Sequence, residues 1–444
     1  MLRPTGGRWF SGRRFCNPPV WAWRQRARRE VTPLPRSRFW FLVSAAITAV
    51  VLAVALGLSA VVGFFPFIRG SSGEAAAAGS PAPGRSIGAG AGPVTPSAGQ
   101  SASAPDGLNA EQMAGQRVIY SYQGLTPPPV LLQAISHGQA AGVIFFSQNI
   151  SSTAQIAAVI SELDQANASP ANLVRKPLLL MIDQEGGAIR RMAGPPYLSE
   201  RQIGEMSDPR TAAATAGTNA AQNLRGVGMN VNLAPVLDVY RSPGDFDDQF
   251  GRSYSMDPDV VGKLGAAFIT AQQSAGVAST AKHFPGLGAA TQAQDTDKQP
   301  VTVNVPLAAL RNTDEVPYKA AIAAGARIVM VSWAVYPALD PNRPAGLSPV
   351  IVGDELRQRV GFTGVTMTDA LEAGALGPYG TIGNRALLAA KAGMDLLLCS
   401  VQNVTEGQQA TASLTQAYSG GQLSKPAFTA AVQRIIALRA SLAG

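Results

Sequence analysis

The chain has 444 residues, of which 46% are hydrophobic and 14% charged, with 46 glycines. That is too apolar for a disordered chain and too glycine-rich for a long coiled coil, and its length allows one large domain or a few small ones. The net charge of +8 resides in the first 38 residues, which hold ten Arg, no Lys and one Glu; residues 39–108 are neutral and 109–444 sum to −1, so no nucleic-acid-binding surface is expected.

Arg36 and Arg38 precede an uncharged run from Phe39 to Ile68. It is long enough for a membrane-spanning helix, which needs roughly 20 apolar residues. The positive charge before it predicts a signal-anchor over 39–68, a cytoplasmic Arg-rich tail over 1–38 and an extracytoplasmic remainder. A cleaved signal peptide with secretion is the alternative; its apolar region is ordinarily only about 7–15 residues. The Arg-rich tail suits anionic lipid heads. Residues 69–108 are dominated by Gly, Ala, Ser and Pro and predict a flexible spacer, with a coil reach of roughly 35 Å. Cys16 and Cys399 would lie on opposite sides of the membrane and form no disulfide. The two His, His137 and His283, without a Cys cluster, do not suggest zinc.

From residue 109 onward, short β-rich runs alternate with Ala-rich helical stretches. The predicted strands are Val118–Tyr122, Gly142–Phe146, Pro177–Ile182, Met229–Leu233, Ser279–Lys282, Arg327–Ser332, Gly364–Thr368 and Met394–Leu398. Helices are predicted at Ser152–Gln165, Arg210–Arg225, Pro258–Gln273, Leu307–Ala323 and Arg385–Ala392. Val-, Ile- and Leu-rich runs without alternation suit parallel strands buried on both faces. Eight βα units over 109–444 predict a TIM-type (β/α)8 barrel, ending with the eighth unit. A doubly wound open sheet is the alternative, but no Gly-x-Gly-x-x-Gly follows an early strand. His137, followed by Gly138, reads as a helix end.

Polar residues gather just after the predicted strands: Asp183, Gln184, Glu185, Arg190 and Arg191 after the third; Asn232, Asp238 and then Arg252 after the fourth. Lys282, His283, Asp295 and Asp297 follow at the fifth and Asp369 at the seventh. In a barrel these ends share one mouth, so a polar pocket is expected there. Dense carboxylates and cations suit sugar hydroxyls, and glycoside hydrolysis needs two carboxyl groups. Lys282 and Arg252 would oppose a metal, and no cofactor is expected.

The stretches Ile182-Asp183-Gln184-Glu185-Gly186-Gly187, Asn232-Leu233-Ala234-Pro235-Val236-Leu237-Asp238-Val239, Gly251-Arg252-Ser253-Tyr254, Lys282-His283-Phe284-Pro285-Gly286 and Thr368-Asp369-Ala370-Leu371 resemble glycoside hydrolase family 3, in its single-domain β-N-acetylglucosaminidase branch. The resemblance covers roughly 109–444. It implies a retaining exo-glycosidase without cofactor. Asp369 would be the nucleophile, and Asp183, Arg191, Arg252, Lys282 and His283 would bind the sugar. Three departures stand out. Leu287 occupies the place of a second His. Asp295-Thr296-Asp297 replaces an Asp-Ser-His dyad, leaving Asp297 or Asp295 as the candidate acid/base. Ser332-Trp333 stands where His is frequent, which would alter a pocket wall.

Plainer roles exist for several of these residues. Asp369 could cap a helix, Asp183 could pair with Arg190 or Arg191, and Glu185 could pair inside its Gly-rich turn. The leading expectation is a monomeric, membrane-anchored enzyme removing non-reducing β-linked N-acetylglucosamine, with peptidoglycan fragments as the natural source. Two rivals are a catalytically impaired sugar-binding barrel and a β-glucosidase.

Overall fold

The computed structural model describes residues 107–442. The expected Arg-rich tail, signal-anchor and nearly all of the spacer lie outside the described residues, as does Cys16. Among the described residues no helix is long and apolar enough to cross a membrane.

Eight parallel strands close into a barrel. In chain order they are β1 Val118–Tyr120, β2 Gly142–Ile144, β3 Leu179–Ile182, β4 Val231–Asn232, β5 Ala278–Phe284, β6 Ile328–Val331, β7 Val365–Ala370 and β8 Leu396–Leu398. Each pairs with its chain neighbours, and β1 closes on β8 through Val118 opposite Leu397. All eight expected strands are present. The open-sheet alternative is excluded, because a closed ring leaves no edge strand.

The absence of alternation in these strands has a direct physical basis. Ile119, Ile144, Met181, Ile328, Met330, Met367 and Leu398 point inward and fill the barrel. Their neighbours Val118, Val143, Leu180, Ile182, Val329 and Leu397 pack outward against the helical layer. Both faces are dry, so both must be apolar. Gly142 permits the approach of β3: a Cβ there would lie 2.0 Å from the Leu179 carbonyl oxygen.

Helices Thr153–Asn167, Pro209–Arg225, Pro258–Ser274 and Ile382–Ala392 fall close to their expected spans. Ser152, Asp208, Asp257 and Thr381 cap them with side-chain oxygens. His137 is a helix C-cap, as expected. The expected Leu307–Ala323 helix is broken. A short turn at Leu307–Ala309 and a wide turn at Leu310–Asp314 precede Val316–Ala323, where Pro317 near the start lacks the N–H needed to continue the preceding helix.

The chain also does not stop at its eighth βα unit, whose helix is Val404–Ser419. A further helix, Lys425–Ala440, covers the N-terminal end of the barrel. Its Ile435 and Leu438 join the interior cluster. Its buried Arg439 donates through Nε to the Pro177 carbonyl at 2.8 Å and through Nη2 to the Lys176 carbonyl at 2.7 Å, and also bonds Gln116. Truncating a donor so deeply placed orphans several acceptors, each costing about 1–3 kcal/mol. Arg439→Met is therefore expected to lower stability by at least about 2 kcal/mol, read as a lower urea midpoint. An unchanged midpoint would show that the helix is a dispensable cover.

Candidate active site

The C-terminal strand ends surround a cavity of about 410 Å³. All eight candidate residues named from the sequence line it: Asp183, Arg191, Arg252, Lys282, His283, Asp295, Asp297 and Asp369. Three of them, Lys282, His283 and Asp369, lie on strands rather than after them. β5 runs on through His283, and β7 through Asp369 and Ala370. The bridge from Val236 to Lys282 and the pairing of Ala370 with Leu398 extend the ladder that far.

At the end of β3 the chain turns into a small hairpin, Gln184–Gly186 with Ile189–Arg190. Asn232 on β4 fixes it from beside, donating to the Gln184 carbonyl and accepting from its N–H, each at 3.0 Å. The turn needs glycine: Gly187 has φ +54, and a Cβ on Gly186 would lie 2.2 Å from the Leu198 carbonyl oxygen. The hairpin thereby aims Asp183 and Glu185 across the barrel.

Glu185 does not pair within its own turn. Arg252 grips it with two N–H groups, at 2.8 and 2.9 Å, and Lys282 Nζ stands 2.7 Å away. Burial alone would raise the Glu185 carboxyl; the charges of Arg252 and Lys282 overcome this and hold it at about 2. Lys282 also pairs with Asp183 at 2.8 Å, so Asp183 is bound to Lys282 and not to Arg190 or Arg191. Burial would lower Lys282, but the carboxylates of Asp183 and Glu185 keep it charged. Arg190 instead donates to the backbone carbonyls of Gly187 and Gly194. Arg191 Nε is buried without a protein partner, a donor left over beside the cavity.

His283 donates through Nδ1 to Asp238 at 2.7 Å. Asp238 also accepts from the backbone N–H of Leu287; a carboxylate can only accept, so with Asp238 ionised the proton sits on Nδ1 and Nε2 is left as an acceptor. Burial lowers the His283 pKa, so the imidazole is neutral near pH 7. Asp247 accepts from Arg252 at 2.6 Å, while its other oxygen is buried and unpaired, 4.0 Å from His283 Nδ1. Asp238, Asp247 and His283 bring ligand atoms within 4.8 Å of one another. Arg252 already occupies Asp247 and Asp238 already binds the ring, so the trio orients side chains and does not fit a cation.

Asp369 lies opposite, with one oxygen accepting from the Ala370 N–H at 2.8 Å. It caps no helix. Burial, then the charge of Asp297, push its carboxyl up to about 6, against the pull of His283. Asp297 owes its place to backbone pairing: the N–H groups of Gly374 and Ala375 donate to the carbonyls of Asp297 and Thr296 at 2.8 and 3.0 Å. Gly374 is required there, because a Cβ would lie 2.2 Å from the Lys298 carbonyl oxygen. Burial beneath it and the charge of Asp295 raise the Asp297 carboxyl, although the residue opens to solvent. Asp295 is committed elsewhere, accepting from the Asp297 N–H at 3.0 Å and pairing with Lys298 at 2.8 Å.

Trp333 does not alter the wall in the expected way. It stands behind it, buried, donating from Nε1 to the Ala370 carbonyl at 2.7 Å. Three features escaped the sequence reading. The first is the role of Asp238 and Asp247 in orienting His283 and Arg252. The second is Glu372 on the cavity wall, held by Ser400 Oγ at 2.7 Å, with Glu406 raised behind it to about 8 by burial and the Glu372 charge. The third is the aromatic rim of Phe246 and Phe250. Only spacing from the motifs could have flagged them.

The raised Asp369 has a consequence for stability. A native carboxyl titrating at about 6, above the unfolded value near 4, binds extra protons in the native state between those values. Stability therefore falls as pH rises through that window and stays lower above it. Asp369→Asn removes this penalty and is expected to be more stable than the parent by about 1–3 kcal/mol at pH 7. Urea midpoints should converge toward pH 4. Equal midpoints at pH 7 would contradict the assignment.

Residues 123–438 match the family described as "Glycosyl hydrolase family 3 N terminal domain". An "Uncharacterized secreted glycosyl hydrolase" of Arthroderma benhamiae is 46% identical over 330 residues, 74% of this chain and 93% of that protein. A "Beta-hexosaminidase" of Stenotrophomonas maltophilia is 34% identical over 287 residues, 62% and 81% of the two chains. Among solved structures, the family 3 β-N-acetylglucosaminidase of Paenibacillus sp. str. FPU-7 superposes with a TM-score of 0.71 at 33% identity, covering 76% of this chain and 64% of that one. The β-N-acetylhexosaminidase of Beutenbergia cavernae gives 0.67 at 31%, covering 75% and 98%. The closed parallel barrel, the charged cavity at its C-terminal mouth and these matches agree: the chain is a glycoside hydrolase and belongs to glycosyl hydrolase family 3.

Proposed function

We propose that this glycoside hydrolase is a retaining exo-glycosidase that removes non-reducing β-linked N-acetylglucosamine, with Asp369 as nucleophile and Asp297 as acid/base. The observation that carries the reading is the placement of these two carboxyls in one cavity, opposite the Asp183–Lys282 pair. The sugar is the one in the name of the Paenibacillus structure, and the name of the hexosaminidase relative fits the same class of amino sugar.

The residues divide the work by their chemistry. Asp183, Lys282 and the Nε2 of His283 supply acceptors and donors to the hydroxyls of the terminal ring. Arg191 offers its buried, unpaired Nε. Arg252 spends three of its five N–H groups on Glu185 and Asp247, leaving two for the substrate. Ionised Asp369 attacks the anomeric carbon, forming the bond to its carboxylate as the glycosidic bond breaks. Asp297 gives its proton to the departing oxygen, then takes one from the water that releases the sugar. Its raised proton affinity suits that exchange at a position where the family ordinarily has His. Asp295, tied to Lys298, is the weaker candidate.

A second reading, a sugar-binding barrel without turnover, is favoured by the Asp297 that stands in place of that His. The natural source we infer is peptidoglycan. It rests on the proposed anchor over 39–68 and spacer over 69–108, with the cytoplasmic tail before them, and on a relative described as secreted.

The test uses the full chain with an aryl β-N-acetylglucosaminide, the β-1,4 disaccharide and an aryl β-glucoside across pH 4–8. Asp369→Asn should abolish turnover of the acetamido sugars. Asp297→Ala should slow the disaccharide by about 10²–10⁴, and the aryl substrate far less, because a good leaving group needs no proton. The acid limb of kcat/KM should fall near pH 6, as protonation of Asp369 removes the attacking carboxylate. Wild-type rates in Asp369→Asn would end the proposal. Saturable binding without hydrolysis would establish the second reading, and preference for the glucoside would change the sugar.

A further inference from the structure

Beyond the charged floor, the molecule carries an apolar surface that hydrolysis of one terminal sugar does not use. Phe246 and Phe250 line the mouth of the cavity as an edge-to-face pair, with centroids 6.1 Å apart and planes at 85°. Phe250 is 46% exposed. The next residue, Gly251, packs against the segment 196–201: Arg201 N–H donates to its carbonyl at 3.1 Å, and a Cβ on Gly251 would lie 3.0 Å from Ser199 Oγ. The same segment is wedged against the Gly186-Gly187 turn of the cavity hairpin. It carries Tyr197, 68% exposed, with the Arg190 guanidinium 5.3 Å from its ring centroid, and Leu198. The same segment borders a groove of about 440 Å³ against helix Pro209–Arg225.

The lining of that groove is informative. Tyr197, Leu198 and Met206 give an apolar floor, while Thr211, Thr215 and Asn219 give neutral hydroxyl and amide groups. Its one carboxylate, Asp208, accepts from the Thr211 N–H as a helix cap. No Lys or Arg lines it. A lipid surface would favour basic residues. Pyranose rings present apolar C–H faces and neutral hydroxyls, which aromatic faces and Thr or Asn groups match.

We propose that Phe250 and the Tyr197–Met206 groove form an extended binding surface for the leaving-group side of a neutral β-glycan, a chain of β-1,4-linked N-acetylglucosamine in place of the acidic peptidoglycan inferred above, so that the enzyme favours long chains over disaccharides. This inference rests on the reading of the cavity as the terminal-sugar site. The terminal ring occupies the polar floor, the next ring meets Phe250 at the mouth, and later rings follow the segment 196–201 toward the groove.

The test is calorimetric titration of the full chain carrying Asp369→Asn, which holds oligosaccharides uncut. The probes are N-acetylglucosamine and its β-1,4 dimer, tetramer and hexamer. The hexamer is expected to bind at least about tenfold tighter than the monosaccharide. Adding Phe250→Ala should reduce the dimer-to-monosaccharide affinity ratio by about three- to tenfold, the loss of one aromatic contact. Adding Tyr197→Ala should reduce the hexamer-to-dimer ratio but not the dimer-to-monosaccharide ratio. Both side chains are exposed, and unchanged melting confirms the fold. Affinity independent of chain length, or ratios untouched by both variants, overturns the extended surface while leaving the glycosidase reading intact. Failure of every sugar to bind overturns both. Binding of phosphatidylglycerol vesicles that Tyr197→Ala abolishes, with sugar ratios unmoved, would assign the groove to a membrane and overturn the proposal.

Discussion

The buried carboxylate of Glu185 joins three parts of the barrel. Its partners arrive from β5 as Lys282 and from the loop after β4 as Arg252, and its own hairpin follows β3. A carboxylate so deeply placed is costly unless fully paired, and removing one partner of such a set is severe. Here two cations and three short contacts satisfy it. Pairing consumes the side of each cation that faces Glu185. It also fixes Lys282 beside Asp183 and Arg252 beside Asp247. The floor of the cavity is thus rigid before any sugar arrives, and rigidity of this kind is what a site needs to favour a transition state.

The opposite wall follows a different logic. Asp369 and Asp297 repel, and neither has a cation at hand comparable to those on the floor. Burial raises the proton affinity of both, the charge of Asp297 adds to the rise at Asp369, and that of Asp295 adds to the rise at Asp297. What holds them near one another is backbone pairing between the Asp297 loop and the chain after β7. Main-chain hydrogen bonds and a Gly374 contact thus force an arrangement that side-chain electrostatics opposes. One wall is charge-paired and fixed, and the other is strained electrostatically and able to move protons. In the proposed function, sugar recognition falls to the first and bond cleavage to the second.

Much of this was legible in the chain. Eight unalternating apolar runs imply strands wet on neither face, and eight βα repeats leave a closed barrel as the compact solution. Polar residues just beyond those runs must then converge on one mouth, and all eight candidates did. The ends of elements were less legible. β5 and β7 ran further than their apolar cores, because ladder pairing continues through polar residues when the neighbouring strand supplies partners. The helix that seals the other end was missed as a lid, since covering a barrel bottom needs Ile435, Leu438 and Arg439 to meet residues far away in the chain.

Fold class, family and the set of residues able to carry the chemistry follow from residue type and order along the chain, and so were readable before any distance was known. The tertiary structure decided who pairs with whom. It placed Glu185 between Arg252 and Lys282 instead of within its turn, bound Asp183 to Lys282, and set Trp333 behind the wall. It also separated Asp297 from Asp295, which sequence left equivalent. Those outcomes depend on distances of a few ångströms between segments remote in sequence, and on the proton affinities that burial and neighbouring charges then impose. Neither is encoded in any local stretch of the chain.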